Sequence, residues 1–392
     1  MDKKYLALVL MLCLFALPAQ ADKPTHRGFN MSINSDVEGS INKLSEFWGI
    51  NLVRLNLEFD SVQDDIENME QYYEKLLPLL DRFEELLPQL CDSGIEVVAS
   101  LYSTPGGFDN RAGGGLGTEV PQSKVFVHEW AQEGLKDTWK VIAQRFKGNH
   151  DCIHAYDLMN EPATGNSTAE GLKNWYELSE ELVEIVRQED PHTRIIAKTP
   201  YASSATRSLN NMPNFDGLNV TLGVHLYPHL HYVHQGIADI PLGITPPPNR
   251  RIVRQLAAIA RFMRQQNIRV NKGEISALPE LNIGEFAVVR WAPDAADYLD
   301  RHIALIENDI NRRPHFGRPR HQVQSQQRWI NIRRIRRSLH RHVRFQSWTF
   351  HAYGEATLWD PRYSDHYGDD TVIEEPALTA RGEVLRKYFQ RN

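Results

Sequence analysis

His154-Ala-Tyr-Asp-Leu-Met-Asn160-Glu161-Pro162 is an apolar run that stops abruptly on an amide, a carboxylate and a proline. It reads as a short buried strand that delivers Asn160 and Glu161 to its C-terminal edge. Pro162 has no N–H for a strand ladder and biases Glu161 away from helix, so the carboxylate is held where the chain leaves the sheet. The tripeptide alone does not establish chemistry, because Asn and Pro are ordinary turn residues. A second ending of the same kind adds weight. Leu281-Asn-Ile-Gly-Glu285-Phe286 is another short apolar strand that finishes on a carboxylate, here between Gly284 and an aromatic ring.

Working outward from these two strands, apolar runs alternate with stretches of helical periodicity. Residues 27–31 and 48–55 read as the first two strands, with a helical stretch at 38–47 between them, which is the opening of a parallel sheet. A helix at 67–90 carries leucines at helical spacing and stops at Gly94, ahead of a third strand at 95–102. Trp130, Leu135, Trp139, Ile142 and Phe146 form the apolar stripe of the helix before the fourth strand. Further strands are expected at 194–199, 220–228 and 345–350. Further helices are expected at 174–187, 251–264, 294–310 and 378–388.

The two carboxylate endings resemble glycoside hydrolase family 5, the cellulase family. That resemblance implies a single-domain (β/α)8 barrel, an α/β fold of the TIM type. It makes Glu161 the general acid/base and Glu285 the nucleophile of a retaining hydrolase. It implies that Arg54, at the end of an apolar run, supports the nucleophile, and that Asn160 bonds the 2-hydroxyl of the sugar. His225-Leu-Tyr227 matches a sugar-contacting pair, Tyr227 being expected to bond Glu285 as well, and Trp348 matches a strand-8 tryptophan that offers a flat face to a sugar ring. A core position is the alternative for Trp348. The histidine usual at the end of the third strand is replaced by Tyr102, which can supply a hydrogen bond in its place. The chemistry needs two carboxyls roughly 5 to 5.5 Å apart, one protonated and one ionised. Residues so distant in sequence meet only if both strands end on the same face, as parallel barrel strands do.

No cofactor is expected, and no metal. His229, His231 and His234 lie in a loop with prolines and aromatics and lack paired helical ligands. Gly113-Gly-Gly115 is not followed by the Gly-Lys-Ser/Thr of a phosphate loop, so it reads as an active-site loop.

Met1-Asp-Lys-Lys4, an apolar run at 5–17 and Pro18-Ala-Gln-Ala21 have the three regions of a secretory leader, with cleavage expected after Ala21. The run is too short to span a bilayer, which takes about 20 residues, so no stable membrane insertion is expected once the leader is removed. The mature domain is then 22–392, secreted or periplasmic. Cys91 and Cys152 remain in it, each just before a strand, the third and the fourth. They should approach each other at the N-terminal floor, as a disulfide or as two buried thiols.

The net charge is −6, yet residues 311–344 hold 11 arginines and no lysine, aspartate or glutamate. The acidic remainder argues against nucleic acid as a partner. The Arg-rich insertion is expected on the barrel floor. It could be an extra docking helix, a basic contact for an anionic surface, or a passage out of frame with the rest. The expected partner is a polysaccharide or oligosaccharide substrate, and the expected state is a monomer. An endo-β-1,4-glucanase acting on cellulose or β-glucan is the first reading. A mannanase or exo-β-glucosidase comes next, and a carbohydrate-binding barrel without catalysis is the reading from a different class.

Overall fold

The computed structural model describes residues 25–59, 66–109, 122–162, 169–204, 208–307, 343, 345–354, 358–373 and 376–390. The leader, the Gly113 loop and the Arg-rich segment apart from Val343 lie outside them.

Eight strands close into a parallel barrel. They are β1 (His26–Ser32), β2 (Leu52–Leu57), β3 (Glu96–Leu101), β4 (Ile153–Asp157), β5 (Ile195–Lys198), β6 (Val220–His225), β7 (Glu280–Glu285) and β8 (Phe345–Phe350). The order is sequential, and β8 closes on β1 through pairs such as Arg27 with Trp348. The principal helices are α1 (Met69–Asp92), α2 (Glu129–Phe146), α3 (Trp175–Glu189), α4 (Asn249–Asn271), α5 (Ala295–Ile306) and α6 (Ala380–Phe389).

Local chemistry sets these boundaries. Asn68 caps α1 by accepting from the Gln71 amide, and Asn174 forms a capping box with Glu177 at the start of α3. The buried face of α1 holds Leu76, Leu80, Phe83, Leu86, Leu87 and Leu90. Truncating one of these to alanine should cost about 2–5 kcal/mol. The second strand starts later than the sequence suggests. Residues 43–48 continue the helical stretch, and Gly49, at a φ of 72°, turns the chain out of it.

Strand alternation sorts the side chains. Val53, Leu55, Val97, Ala99, Tyr156, Ile195 and Ala197 face the helices as part of the main core. Their neighbours Leu52, Val98, Ala155 and Ile196 form a separate small apolar layer inside the barrel. One step further along the same inward rows come Arg54, Ser100, Asp157 and Lys198, all buried. The barrel is therefore sealed below and charged above.

Cys91 and Cys152 form a disulfide with Cα atoms 5.3 Å apart, tying the end of α1 to the residue before β4. Of the two states the sequence leaves open, this is the one adopted. Among the described residues, no helix is long and apolar enough to cross a membrane.

Candidate active site

Arg54 organises the mouth of the barrel. Its Nε donates to Asp157 Oδ2 at 2.8 Å, and its Nη1 to Asn30 Oδ1 at 2.6 Å and Glu285 Oε1 at 2.7 Å. Its Nη2 donates to Asn160 Oδ1 at 2.8 Å, which fixes the orientation of that amide. Burial alone would strip the guanidinium of its proton more easily, but Asp157 and Glu285 outweigh it and hold the group charged. A buried charge persists only with partners of this kind.

A second cation lies beside it. Lys198 is fully buried, with Nζ 2.9 Å from His225 Nε2 and 3.3 Å from Asp157 Oδ2. Two glycines make room for it. A Cβ on Gly284 would sit 1.8 Å from Lys198 Nζ, and one on Gly223 would sit 2.6 Å from Lys198 Cδ. Burial, then the charge of Arg54, lower the Lys198 ammonium to about 8.

His225, at the end of β6, spans the two glutamates. Its Nδ1 is 2.7 Å from Glu161 Oε1 and 3.4 Å from Glu285 Oε2. Burial holds this imidazole well below its usual range, so it is neutral at ordinary pH. A protonated Lys198 donates to Nε2, which leaves the single ring proton on Nδ1, facing the carboxylates.

Glu161 follows β4 with a φ of 41°, a left-handed backbone that residues with a Cβ adopt rarely. About a third of its side chain is open to solvent, at 34%. Desolvation, followed by the negative charge of Glu285, pushes it up to about 8. Glu285 behaves in the opposite way. Burial would raise it, but the surrounding positive groups hold it well below the usual carboxylate range. Because His225 and His351 are themselves kept neutral by burial, Arg54 and Lys198 are the charges that matter. Tyr227 donates its hydroxyl to Glu285 Oε2 at 3.0 Å. Ligating atoms of Glu161, His225 and Glu285 all lie within 4.8 Å of one another.

The structure thus brings together Arg54, Asn160, Glu161, His225, Tyr227 and Glu285. Tyr102 stands close enough to Arg54 and Tyr227 to influence both. Trp348 is the exception and corrects the reading of it as a sugar platform. It has no exposed surface, donates through Nε1 to Glu307 at 2.7 Å and stacks on Phe389. Its place in the alternation of β8 turns it towards the helices, like Phe345 and Phe350, so the core position is correct. The end of β8 presents His351 to Glu285 instead, with Trp359 packed beside that ring.

Sequence reading also missed Asp157, Lys198, Asn30 and Glu58. Glu58 is a further carboxyl near Arg54 and Glu285, raised chiefly by burial. Asp157 and Lys198 did carry a signal, since each is a lone charge in phase with an inward apolar residue, Ala155 and Ile196. His229 and His234 serve separate contacts: His229 packs on Tyr232, and His234 lies between Tyr227 and Trp359. The Glu161, His225 and Glu285 group has the spacing of a metal site, but Arg54 and Lys198 already supply two positive charges there.

Parallel (β/α)8 barrels carry their active sites at the C-terminal mouth, and here that mouth holds two carboxyls and a buried arginine. Residues 19–302 match the family described as Cellulase (glycosyl hydrolase family 5), and the chain belongs to that family. Solved structures share the fold at low identity. A glycoside hydrolase is 16% identical with a TM-score of 0.63, covering 93% of this chain and 99% of its own. Pseudomonas stutzeri endoglucanase Cel5A is 17% identical with a TM-score of 0.55, covering 93% and 94%. A hyperthermophilic endo-β-1,4-glucanase in complex with substrate is 16% identical with a TM-score of 0.57, covering 92% and 96%. No curated protein matches the chain.

Proposed function

We propose that this family 5 glycoside hydrolase is a retaining endo-β-1,4-glucanase, exported, with Glu285 as nucleophile and Glu161 as acid/base. The observation that carries the reading is the meeting of two carboxyls at the barrel mouth, an oxygen of each within 4.8 Å of the other, with Arg54 and Tyr227 bonded to Glu285 and not to Glu161. So close an approach favours direct attack by Glu285 over a water held between the two carboxyls.

In the first step Glu285 attacks the anomeric carbon while Glu161 gives its proton to the leaving oxygen, and a covalent glycosyl ester forms. Tyr227 and Arg54 keep Glu285 ionised before attack. As the ester forms, the Glu285 charge disappears, and with it the repulsion that raised Glu161. Glu161 is then ready to take a proton from the incoming water, which cleaves the ester with a second inversion. Asn160, held by Arg54, is positioned to donate to the sugar 2-hydroxyl.

The glucan preference follows the endoglucanases among the structural relatives. Export follows from the leader-like residues 1–21 and agrees with the Cys91–Cys152 bridge. Reducing-sugar release and viscosity should be followed on carboxymethylcellulose, mixed-linkage β-glucan, xyloglucan and mannan. The proposal expects a rapid fall in viscosity on the β-1,4-glucans. Preferential release from mannan would move the assignment to a mannanase, and no release from any of them would favour a binding barrel.

A further inference from the structure

We propose that His26, Glu96 and His154 form a binding site for a divalent transition metal of the zinc class on the barrel floor, at the opposite end from the glutamate pair. The inference stands apart from the proposed reaction and does not depend on it.

Three strands supply the donors. His26 Nε2 is 3.1 Å from Glu96 Oε1, and His154 Nδ1 is 2.6 Å from Glu96 Oε2. The three donor atoms lie within 4.8 Å of one another. Ligands at 2.0–2.1 Å in a tetrahedron stand about 3.3 Å apart, so Glu96 needs to withdraw by about 0.7 Å from His154. It has room, because its side chain is 39% exposed, and the same opening admits a water as fourth ligand.

Strand irregularities aim this cluster. Along β4, Ile153 pairs with Val97 and Ala155 with Val98, so His154 is the extra residue of a bulge. Along β8, Phe345 pairs with Leu281 and Ser347 with Asn282, so Gln346 is also an extra residue. Bulges re-aim side chains, and both of these point at the same place: His154 Nε2 meets Gln346 Oε1 at 3.1 Å. Two departures from regular pairing on strands that are not neighbours, converging on one imidazole, are hard to attribute to packing alone.

The hydrogen bonding of His154 fits a metal. Its two ring nitrogens face two acceptors, Glu96 Oε2 and Gln346 Oε1, and Ser347 Oγ donates to the same Gln346 oxygen at 3.3 Å. A neutral imidazole has one N–H for both. An ion taking the Nδ1 lone pair and the Glu96 charge leaves Nε2–H for Gln346, the arrangement that orients metal-bound histidines. His26 is held in the same way, with Nδ1 at 2.8 Å from Thr25 Oγ1 and Nε2 turned inward. The nearby cation, Arg194, is engaged by Glu280 at 3.1 Å. The bound ion would clasp β1 to β3 and β4.

The test is zinc chloride titrated into untagged full-length protein stripped with EDTA, followed by calorimetry, with cobalt chloride as a spectroscopic probe. We expect one equivalent per chain, a visible cobalt band of four-coordinate intensity, and a thermal midpoint that rises with zinc. His26→Gln and Glu96→Gln should each weaken zinc binding by at least roughly tenfold, and Gln346→Ala by a similar or smaller factor. Absence of stoichiometric zinc binding by the wild type would overturn the proposal. So would equal affinity in folded Glu96→Gln, or binding lost in Glu161→Gln but kept in Glu96→Gln, which would place the ion at the mouth.

Discussion

Strand β4 carries a histidine into a cluster at its lower end and leads to a glutamate in another cluster above its upper end, and the two clusters balance charge differently. Above, two buried cations, Arg54 and Lys198, face Asp157, Glu285 and Glu161. With Glu58 also near Arg54, two positive charges offset only two of four carboxyls, and Glu161 and Glu58 hold their protons more easily than usual. Of these two, Glu161 is the one that His225 links to Glu285. Below, a single carboxylate, Glu96, faces two imidazoles; burial would raise it, but the hydrogen bonds of His154 and His26 hold it well below its usual range. Between the clusters lies the apolar layer of Leu52, Val98, Ala155 and Ile196. One end of the barrel sets carboxyls against one another, while the other links β1, β3 and β4 through Glu96.

The sharpest way to break this contrast is to remove Glu285, the proposed nucleophile. Glu285→Ala should reduce kcat by at least about 10⁴-fold without loss of fold, and azide should restore some turnover as the inverted α-glycosyl azide. Glu161→Ala should cost about 10³-fold on cellulose-like substrates and far less on activated aryl glycosides, which need no acid. With azide it should give the retained β product. Steady-state kinetics with both substrate types checks this pair.

At the floor the effect should fall on stability. Replacing Cys91 and Cys152 with serine should lower unfolding free energy by roughly 3 kcal/mol and leave kcat/KM nearly unchanged. Denaturant titration alongside an assay separates the two readouts.

The smallest expected effect concerns pH. For the wild type, kcat/KM should fall on the alkaline side through about 8, as Glu161 loses the proton it must donate. Removing the Lys198 charge takes away an interaction that favours ionised Glu161. In Lys198→Met the alkaline limb should therefore move to higher pH. A limb that stays put would show that Lys198 only fills space.

The fold was legible because the apolar runs and helical stripes alternate, and because Glu161 and Glu285 each end a run abruptly. Glu161, Glu285, Asn160, His225 and Tyr227 lie at or just beyond a strand's C-terminal end, where the family resemblance pointed to them, whereas Arg54 stands in the middle of β2 and reaches the mouth from inside the barrel. Trp348 misled because a match in residue type and strand number is not sufficient. The alternation of side chains decides which way a residue faces, and Trp348 is out of phase with the barrel interior. Lys198 and Asp157 were passed over as ordinary members of apolar strands, although their phase pointed inward. The floor cluster was not legible at all. Its residues belong to strands remote in sequence, and two bulges that no periodicity announces bring His154 and Gln346 into place.

The central claim is the division of labour between the two glutamates. The direct measurement is trapping with a 2-deoxy-2-fluoro cellobioside bearing an activated leaving group, followed by peptide mass spectrometry and NMR of the first product formed without the inhibitor. The account predicts a covalent sugar on Glu285 and a β-anomer released first. A label on Glu161, or an α-anomer as the initial product, would contradict it.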